Sequence, residues 1–413
     1  MSEQKLKVAV LGSTYPRNPE DPGVPWQREI VNRTAAAGHE VTVLAPSWRA
    51  LKSHQIDGVP VLRWRYAPAQ WETLTHDEGA PNKQGSPLFK VFALSYILCG
   101  MVAVFWWTWR RRFDVLHVHW PFPHGFMSWL PAKVFGTRVV MTCHGAELAL
   151  ARKSGGIRKA LAALLKTGDA LCANSSHTAN EIRKLCDRPI HILPYGATVE
   201  SAEVGQEYPV SEPPLLLNCG RLIQRKGLHV LLRALPSILE EKQVKVVITG
   251  EGDCKNEWMA LTSELGLDEV VEWAGFVSSE RLAELYHTCT CYVHPAIFDD
   301  RGDTEGLGVV LIEALRHRKP VVASGVGGIV DVIKDEETGL LVPEKDEEAL
   351  ATAILRVLDD SELASRLANQ GFAYAQKVFD WDRIVAATIA VYAGTASEPE
   401  SPSLATKPSV AAS

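Results

Sequence analysis

The sequence predicts an α/β protein of two Rossmann-like, doubly wound parallel-sheet domains facing a central cleft. Three observations point there. Short β-branched runs recur with helical stretches between them, and strand alternating with helix means βαβ units. The runs are apolar throughout, as strands covered on both faces must be. They fall into two series, divided by a polar, Pro-containing stretch from Ser201 to Pro214.

The first series reads KVAVLG, EVTVLAP, VPVLRW, DVLHVHW, RVVMTCHG, ALCANSS and IHILPYG. The second reads LLLNCGR, VKVVITGEG, VVEWAGF, CYVHP and KPVVASG. Residues 1–205 are therefore expected to form one domain and residues 206–375 the other. From about Gly394 the chain is rich in Ser, Pro, Ala and Glu, so residues 394–413 are expected to be a disordered tail.

With 413 residues, 46% of them hydrophobic and 22% charged, each half can bury a core of its own. A formal net charge of −6 gives no reason to expect a nucleic-acid partner. The start, MSEQKLKVAVLG, runs straight into a strand, so no signal peptide and a cytoplasmic location are expected. The 8 cysteines form no C-x-x-C pair and no zinc-type spacing, which fits reduced, packed thiols. Cys289 and Cys291 stand two apart, as on one face of a strand.

One segment fits this scheme less simply. Val91–Trp109, VFALSYILCGMVAVFWWTW, carries no charge and is followed by Arg110, Arg111 and Arg112. It approaches the length of a membrane span. Spanning would put Lys5 to Leu62 on one side of the bilayer and the remaining strands on the other, so no single sheet could form. Two readings stay open. The helix is apolar all round because it packs under the N-terminal sheet. Or one face touches the inner side of the cytoplasmic membrane, with Trp106, Trp107 and Trp109 at headgroup depth and the arginines on anionic lipid.

The stretch EGLGVVLIE, Glu305 to Glu313, carries chemistry. Pro320 lies beyond it, so a helix is expected from near Gly308 to near Arg318. Its N-terminus offers unpaired N–H groups and the positive end of a dipole to a phosphate. Gly306 and Gly308 let a ligand approach the backbone. Glu305 precedes the helix end, and Glu313 lies roughly 8 Å further along at 1.5 Å per residue. A diphosphate at this end would have a carboxylate on either side, each able to accept hydrogen bonds from hydroxyls. NCGRLIQRKG, Asn218 to Gly227, supplies cations. Arg221 can clamp phosphate in bidentate fashion and Lys226 can act as a point charge, both at the carboxyl end of a strand. Arg225 reads as a solvated neighbour.

Taken together, G-R-x-x-x-x-K-G followed by E-G-x-G-x-x-x-x-E-A resembles the large retaining glycosyltransferase family 4, with the GT-B fold. ITGEGD, WAGFVSSERLAELY, KPVVASGVGGIVDVI and ETGLLVPEKD agree with it. FDWDRIVAATIAVY is similar to that family's terminal helix, which implies that residues 376–393 cross back to the first domain. The resemblance implies that Arg221 and Lys226 hold the donor diphosphate and stabilise its leaving charge. It implies that Glu305 holds the donor sugar and Glu313 the ribose. The backbone of Gly306, Leu307, Gly308 and Val309 would meet phosphates and sugar, and Gly275, Phe276 and Val277 would border the base.

His144, just after a strand in VVMTCHGAEL, is implied to sit beside the reacting sugar, as a catalytic or hydroxyl-binding group. His144 is expected on the acceptor side; HVHW puts His117 and His119 on one strand face, and His119, nearer the strand end, either touches the acceptor or is a satisfied structural histidine, with His124 a weaker candidate. Many members carry a Gly-Gly pair after the first strand. Here the loop is STYPRNPEDPGVPWQREI, with only Gly23 before a helix starting at Pro25. That Y-P-x-x-x-x-D-P-G loop resembles the exopolysaccharide, teichuronic and colanic-acid subgroup.

The implied activity is retaining transfer of a hexose from a nucleotide-diphosphate sugar to a glycan or lipid-linked hydroxyl acceptor, in polysaccharide or glycolipid biosynthesis. No metal or other cofactor is expected, and DDRGD, Asp299 to Asp303, reads as a solvated acidic loop. A sugar-nucleotide epimerase of the same layout and a non-catalytic membrane scaffold are the alternatives. A nicotinamide dehydrogenase is disfavoured, because VAVLGSTYPRNP lacks G-x-G-x-x-G.

Overall fold

The computed structural model describes residues 5–21, 23–75, 87–199 and 211–397. The first sheet holds β1 (Lys7–Leu11), β2 (Glu40–Pro46), β3 (His54–Ile56), β4 (Val59–Trp64), β5 (Val115–His119), β6 (Arg138–Cys143), β7 (Ala170–Ala173) and β8 (Ile190–Ile192). Their order is β3-β4-β2-β1-β5-β6-β7-β8. The second sheet holds β9 (Leu215–Cys219), β10 (Lys245–Thr249), β11 (Val271–Gly275), β12 (Cys291–His294), β13 (Val321–Ser324) and β14 (Leu340–Val342), in the order β11-β10-β9-β12-β13-β14. Each strand run quoted above falls on a strand.

The second sheet is parallel throughout. The first departs at one edge, where β3 pairs antiparallel with β4. The cause is local. Asp57 and Gly58 sit between the two strands with φ of 51° and 79°. An Asp-Gly pair with both φ positive closes a two-residue hairpin, so the chain turns back instead of crossing over. The expected parallel sheet thus carries one antiparallel strand at its edge.

Strand order reverses beside β1 and β5 in the first sheet and beside β9 and β12 in the second. Such switch points open a crevice at the carboxyl ends of parallel strands. The loops after β9 and β12 carry Arg221, Lys226 and Glu305. His119 and His144 lie at the ends of β5 and β6. The topology therefore puts the two candidate sets at matching positions on the two sheets.

Helix α14 (Trp381–Ala393) follows α13 (Ser361–Val378) and packs Trp381, Ile384 and Val385 against Ile30 of α1 (Pro25–Ala36). Trp381 Nε1 donates to Ala197 O at 2.7 Å, and Tyr392 Oη lies 2.7 Å from His117 Nδ1. The terminal helix thus ties the chain back to its first sheet, and His117 is part of that tie. The expected boundary at residues 205–206 and the tail beyond residue 397 lie outside the described residues.

Two expectations need correction. Cys289 caps α9 (Ser279–Thr288) rather than joining Cys291 on β12; both are buried, and all 8 cysteines are free. The helix α2 (Pro87–Arg111) is not covered all round. Tyr96, Val104 and Thr108 are buried, whereas Val91, Leu94, Leu98, Val102, Trp106 and Trp109 are exposed. A helix lying on one flank of a sheet buries only one stripe. The same structure excludes spanning, because β1 pairs with both β2 and β5, which lie on either side of α2 in the chain.

Candidate functional site

The second domain contributes a compact cluster of charge. After β9 the chain leaves the sheet at Gly220 and makes a short 3-10 turn, Gln224–Lys226. Lys226 Nζ reaches Glu305 Oε2 at 2.5 Å. Arg225 Nη1 lies 3.5 Å from Glu305 Oε1 and donates to Thr304 O at 3.1 Å. His294 Nε2 is 3.4 Å from Glu305 Oε2. Burial alone would raise the Glu305 carboxyl, but the Lys226 ammonium and the Arg225 guanidinium outweigh it and hold it well below the usual range. Burial in turn lowers Lys226, with Glu305 opposing the shift. Arg225 is therefore no solvated neighbour. Its guanidinium is largely buried between Asp303 and Glu305 and helps to keep the site charged.

Arg221 is exposed, and no side-chain hydrogen bond or ion pair engages its guanidinium among the described residues. The helix α10 (Val309–Arg316) begins at Gly308, whose φ of 88° aims the chain into the helix. Its N-terminus lies where the sequence expects a helix end able to meet an anion. Gly327 and Gly328 close around this loop: Gly328 N donates to Glu305 O at 2.9 Å. A Cβ on Gly328 would stand 2.1 Å from Gly306 O, so only glycine fits.

Glu313 lies further along α10 and is held differently. Its Oε1 accepts from Thr198 Oγ1 at 2.7 Å, and its Oε2 from Tyr286 Oη at 3.1 Å. Burial raises its pKa despite these bonds. A ligand hydroxyl would have to use the remaining lone pairs or displace Thr198.

The first domain supplies an aromatic wall. Trp26, in the first turn of α1, stacks on Tyr195 with centroids 4.3 Å apart and lies 4.9 Å from the His144 ring. His144 Nδ1 is hydrogen-bonded to Tyr195 Oη, and Nε2 lies 2.9 Å from His119 Nδ1. Burial pushes His144 down to about 3, so its imidazole is neutral. The three side chains thus form one hydrogen-bonded chain, Tyr195–His144–His119, in which each neutral imidazole can donate through one ring nitrogen and accept through the other. His119 is buried behind His144, so the structure corrects its expected contact with an acceptor: it positions His144 instead. His124 bonds to Tyr96 Oη at 2.8 Å and is structural.

The two halves meet here. A Cβ on Gly306 would lie 3.2 Å from His144 O and 3.3 Å from Asn174 Nδ2. His144 and the Glu305 loop are thus neighbours across the crevice. Gly275 and the 69% exposed Phe276 end β11 at the outer side of the same edge, with Val277 half-buried. Leu307 is buried in the second core. Gly23 sits in a turn centred on Asp21, whose Oδ1 accepts from Gly23 N at 3.0 Å. No described contact joins it to the Glu305 loop. In the acidic loop, Asp299 Oδ1 accepts from Arg301 N and Asp303 N, each at 2.9 Å, and Asp300 from Gln224. Its carboxylates are engaged with protein donors, and the described residues contain no His, Cys, Asp or Glu group fit to hold a metal.

Comparison with known proteins matches this arrangement. Residues 27–201 match glycosyltransferase family 4, and residues 202–374 match the glycosyl transferases group 1. The chain belongs to the GT-B glycosyltransferases. An uncharacterized glycosyltransferase of Methanocaldococcus jannaschii is 34% identical over 178 residues, 43% of this chain and 44% of that protein. The chain thus spans less than half of that relative in the matched region. Sucrose-phosphate synthase from Thermosynechococcus elongatus superposes with a TM-score of 0.75 at 21% identity, over 94% of this chain and 99% of the other. Anabaena HepE in complex with UDP and glucose superposes at 0.66 and 16% identity, over 94% and 100%.

Within this glycosyltransferase, several site residues escaped the sequence reading. Arg225, His294, Tyr195, Trp26 and Asn174 had no motif of their own. Gly327 and Gly328 did have a signal, the Gly-Val-Gly-Gly run after β13, which implies close backbone approach. Glu147 is a further case. It is buried, its Oε1 accepts from His144 N at 2.9 Å, the Cys143 thiol lies against its carboxyl, and burial raises it to about 7.

Proposed function

We propose that this glycosyltransferase moves a hexose from a nucleoside-diphosphate sugar to the hydroxyl of a glycan or lipid-linked acceptor, with retention of the anomeric configuration. The observation that carries the reading is the convergence of exposed Arg221, the Lys226–Glu305 pair and the N-terminus of α10 at one switch point. The Anabaena protein's complex with UDP and glucose supports a nucleotide-linked donor. Arg221, Lys226 and the helix end take the diphosphate, Glu305 the sugar hydroxyls and Glu313 the ribose. Phe276 offers its exposed ring to the base, with Gly275 and Val277 beside it.

In the transfer, the bond from anomeric carbon to phosphate oxygen breaks and a bond to the acceptor oxygen forms on the same face. The acceptor proton passes to the departing diphosphate. Negative charge grows on that diphosphate, and pre-placed cations stabilise it without reorganising. His144 stands beside the Glu305 loop with its backbone carbonyl nearest Gly306, and its neutral ring, bonded to Tyr195 and His119, would meet a donor-sugar hydroxyl only by exchanging one of those bonds. The cations do the work that a divalent metal would otherwise do, so activity should persist in EDTA. The Tyr15–Gly23 loop supports an exopolysaccharide-type acceptor.

The test is a panel of UDP-, GDP- and ADP-sugars read by thermal shift, because a ligand bound only to the native state raises its stability. The stabilising donor is then incubated with lipid-linked glycan extracts, and the anomeric proton of the product is followed by NMR. Retained configuration with release of nucleoside diphosphate is expected. Release of an isomerised nucleotide sugar with no acceptor would replace transferase with epimerase. Activity lost in EDTA and restored by Mg²⁺ would overturn the metal-free account.

A further inference from the structure

Helix α2 crosses between β4 and β5, and α3 (Pro121–Phe135) crosses between β5 and β6. The two run side by side in the same direction: Tyr96 bonds to His124, and Phe105 stacks on Phe135 with centroids 5.1 Å apart. Their inner faces pack on the sheet. Their outer faces do not behave like a protein surface. Val91, Leu94, Leu98, Val102, Trp106 and Trp109 are all exposed, Val102 by 71%. Their spacing of three and four places them on one stripe of a helix about 37 Å long. Beside it α3 exposes Trp129, Leu130 and Val134. Contiguous exposed apolar area of this extent marks an interaction surface.

The charge around that stripe selects the partner. Neither helix contains an acidic residue, in a chain whose formal net charge is −6. Lys90, Arg110, Arg111, Arg112 and Lys133 flank the apolar residues, and all are exposed. Arg110 lies over the Trp106 ring at 5.9 Å to the centroid, so an aromatic and a cation reach the surface together. Tryptophan suits the headgroup layer, and clustered Lys and Arg suit anionic lipid. A second copy of the chain would meet this face with the same cations and no acid to pair them.

We infer that the α2–α3 face lies on an anionic lipid bilayer, with α2 in the plane of the headgroups. The helices run opposite to the strands, so α3 begins at Pro121, directly after His119 and the crevice. A bilayer on this face therefore borders the crevice on the acceptor side. The inference deepens the acceptor reading of the proposed function but does not need it, because docking requires no nucleotide sugar.

The experiment is flotation of the full chain with vesicles of phosphatidylcholine alone or mixed with phosphatidylglycerol. Binding is expected to the mixed vesicles and to weaken with salt. The double variant Leu98→Glu/Val102→Glu and the triple variant Arg110→Gln/Arg111→Gln/Arg112→Gln should each lose about tenfold or more of that binding. Stabilisation by nucleoside diphosphate serves as the folding control and should be unchanged in both. A chain that stays in the soluble fraction with both vesicles, or a double variant that floats like the parent, overturns the inference. So does a parent dimer that the double variant splits without any vesicle binding, since the face would then serve self-association. None of these failures touches the donor site.

Discussion

The loop that carries Glu305 and the helix that carries Glu313 bury the same side chain eight residues apart, in opposite electrostatic settings. Glu305 is ringed by Lys226, Arg225 and His294 and is held charged well below the usual carboxylate range. Glu313 meets no cation but the hydroxyls of Thr198 and Tyr286 and the Thr198 backbone N–H, and burial pushes it upward. Burial therefore does not decide the state of a carboxyl; its partners do. On the proposed function, the charged loop balances the cations that would meet a diphosphate. The quieter helix position is built to exchange hydrogen bonds with neutral hydroxyls.

The largest effect should come from breaking the cationic side. Lys226→Ala removes the ammonium that faces Glu305 and that, on the proposed function, meets the leaving diphosphate. Turnover should fall by about 10²–10³, the scale of one lost pre-placed donor at a developing charge. A fall confined to KM, with kcat intact, would mean that Lys226 only binds substrate.

Next, paired urea melts of Glu305→Gln and Glu313→Gln sharpen the contrast. Glu305→Gln leaves buried cations without their counter-charge and should destabilise by about 3 kcal/mol. Glu313→Gln keeps the shape and the hydroxyl partners and should stay within about 1 kcal/mol. The pH dependence separates them further. A depressed carboxyl stabilises above its unfolded pKa, so the Glu305 deficit should be flat from about pH 5 to 8. A raised carboxyl destabilises as pH rises past its unfolded value, so Glu313→Gln should gain on the parent with increasing pH. Equal deficits with equal pH slopes would erase the distinction.

The smallest effect concerns Glu147, raised from 4.5 to about 7 by burial. The folded chain holds the proton more tightly than the unfolded chain across that window, so stability falls as pH climbs through it. Glu147→Gln should therefore become more stable than the parent by on the order of 2 kcal/mol between pH 5 and 8. Thermal melts at the two pH values check this. An unchanged difference would mean that Glu147 is ionised throughout.

These contrasts also show what the sequence makes legible. Arg221, Lys226, Glu305 and Glu313 were readable because each pair sits within ten residues, on a strand–turn–helix junction whose geometry follows from local rules. The pairing of Glu313 with Thr198 spans 115 residues and left no local trace. The wall of Trp26, His119, His144 and Tyr195 draws on four separate segments, so only the two histidines at strand ends, His119 and His144, could be found. Arg225 was misread because a charge beside Lys226 gives no direction until the 3-10 turn aims it inward. The exposed face of α2 was hidden for another reason: in a helix apolar all round, period carries no contrast. The β3–β4 hairpin did announce itself in Asp57-Gly58 and was passed over.

The most direct measurement is a crystal structure of the chain soaked with its stabilising nucleotide sugar. The account predicts the diphosphate at the N-terminus of α10, bonded to the backbone of Gly308 and Val309 and to Arg221 and Lys226, with sugar on Glu305 and ribose beside Glu313. A diphosphate bound away from that helix end, with the Lys226–Glu305 pair and Arg221 untouched, would contradict it.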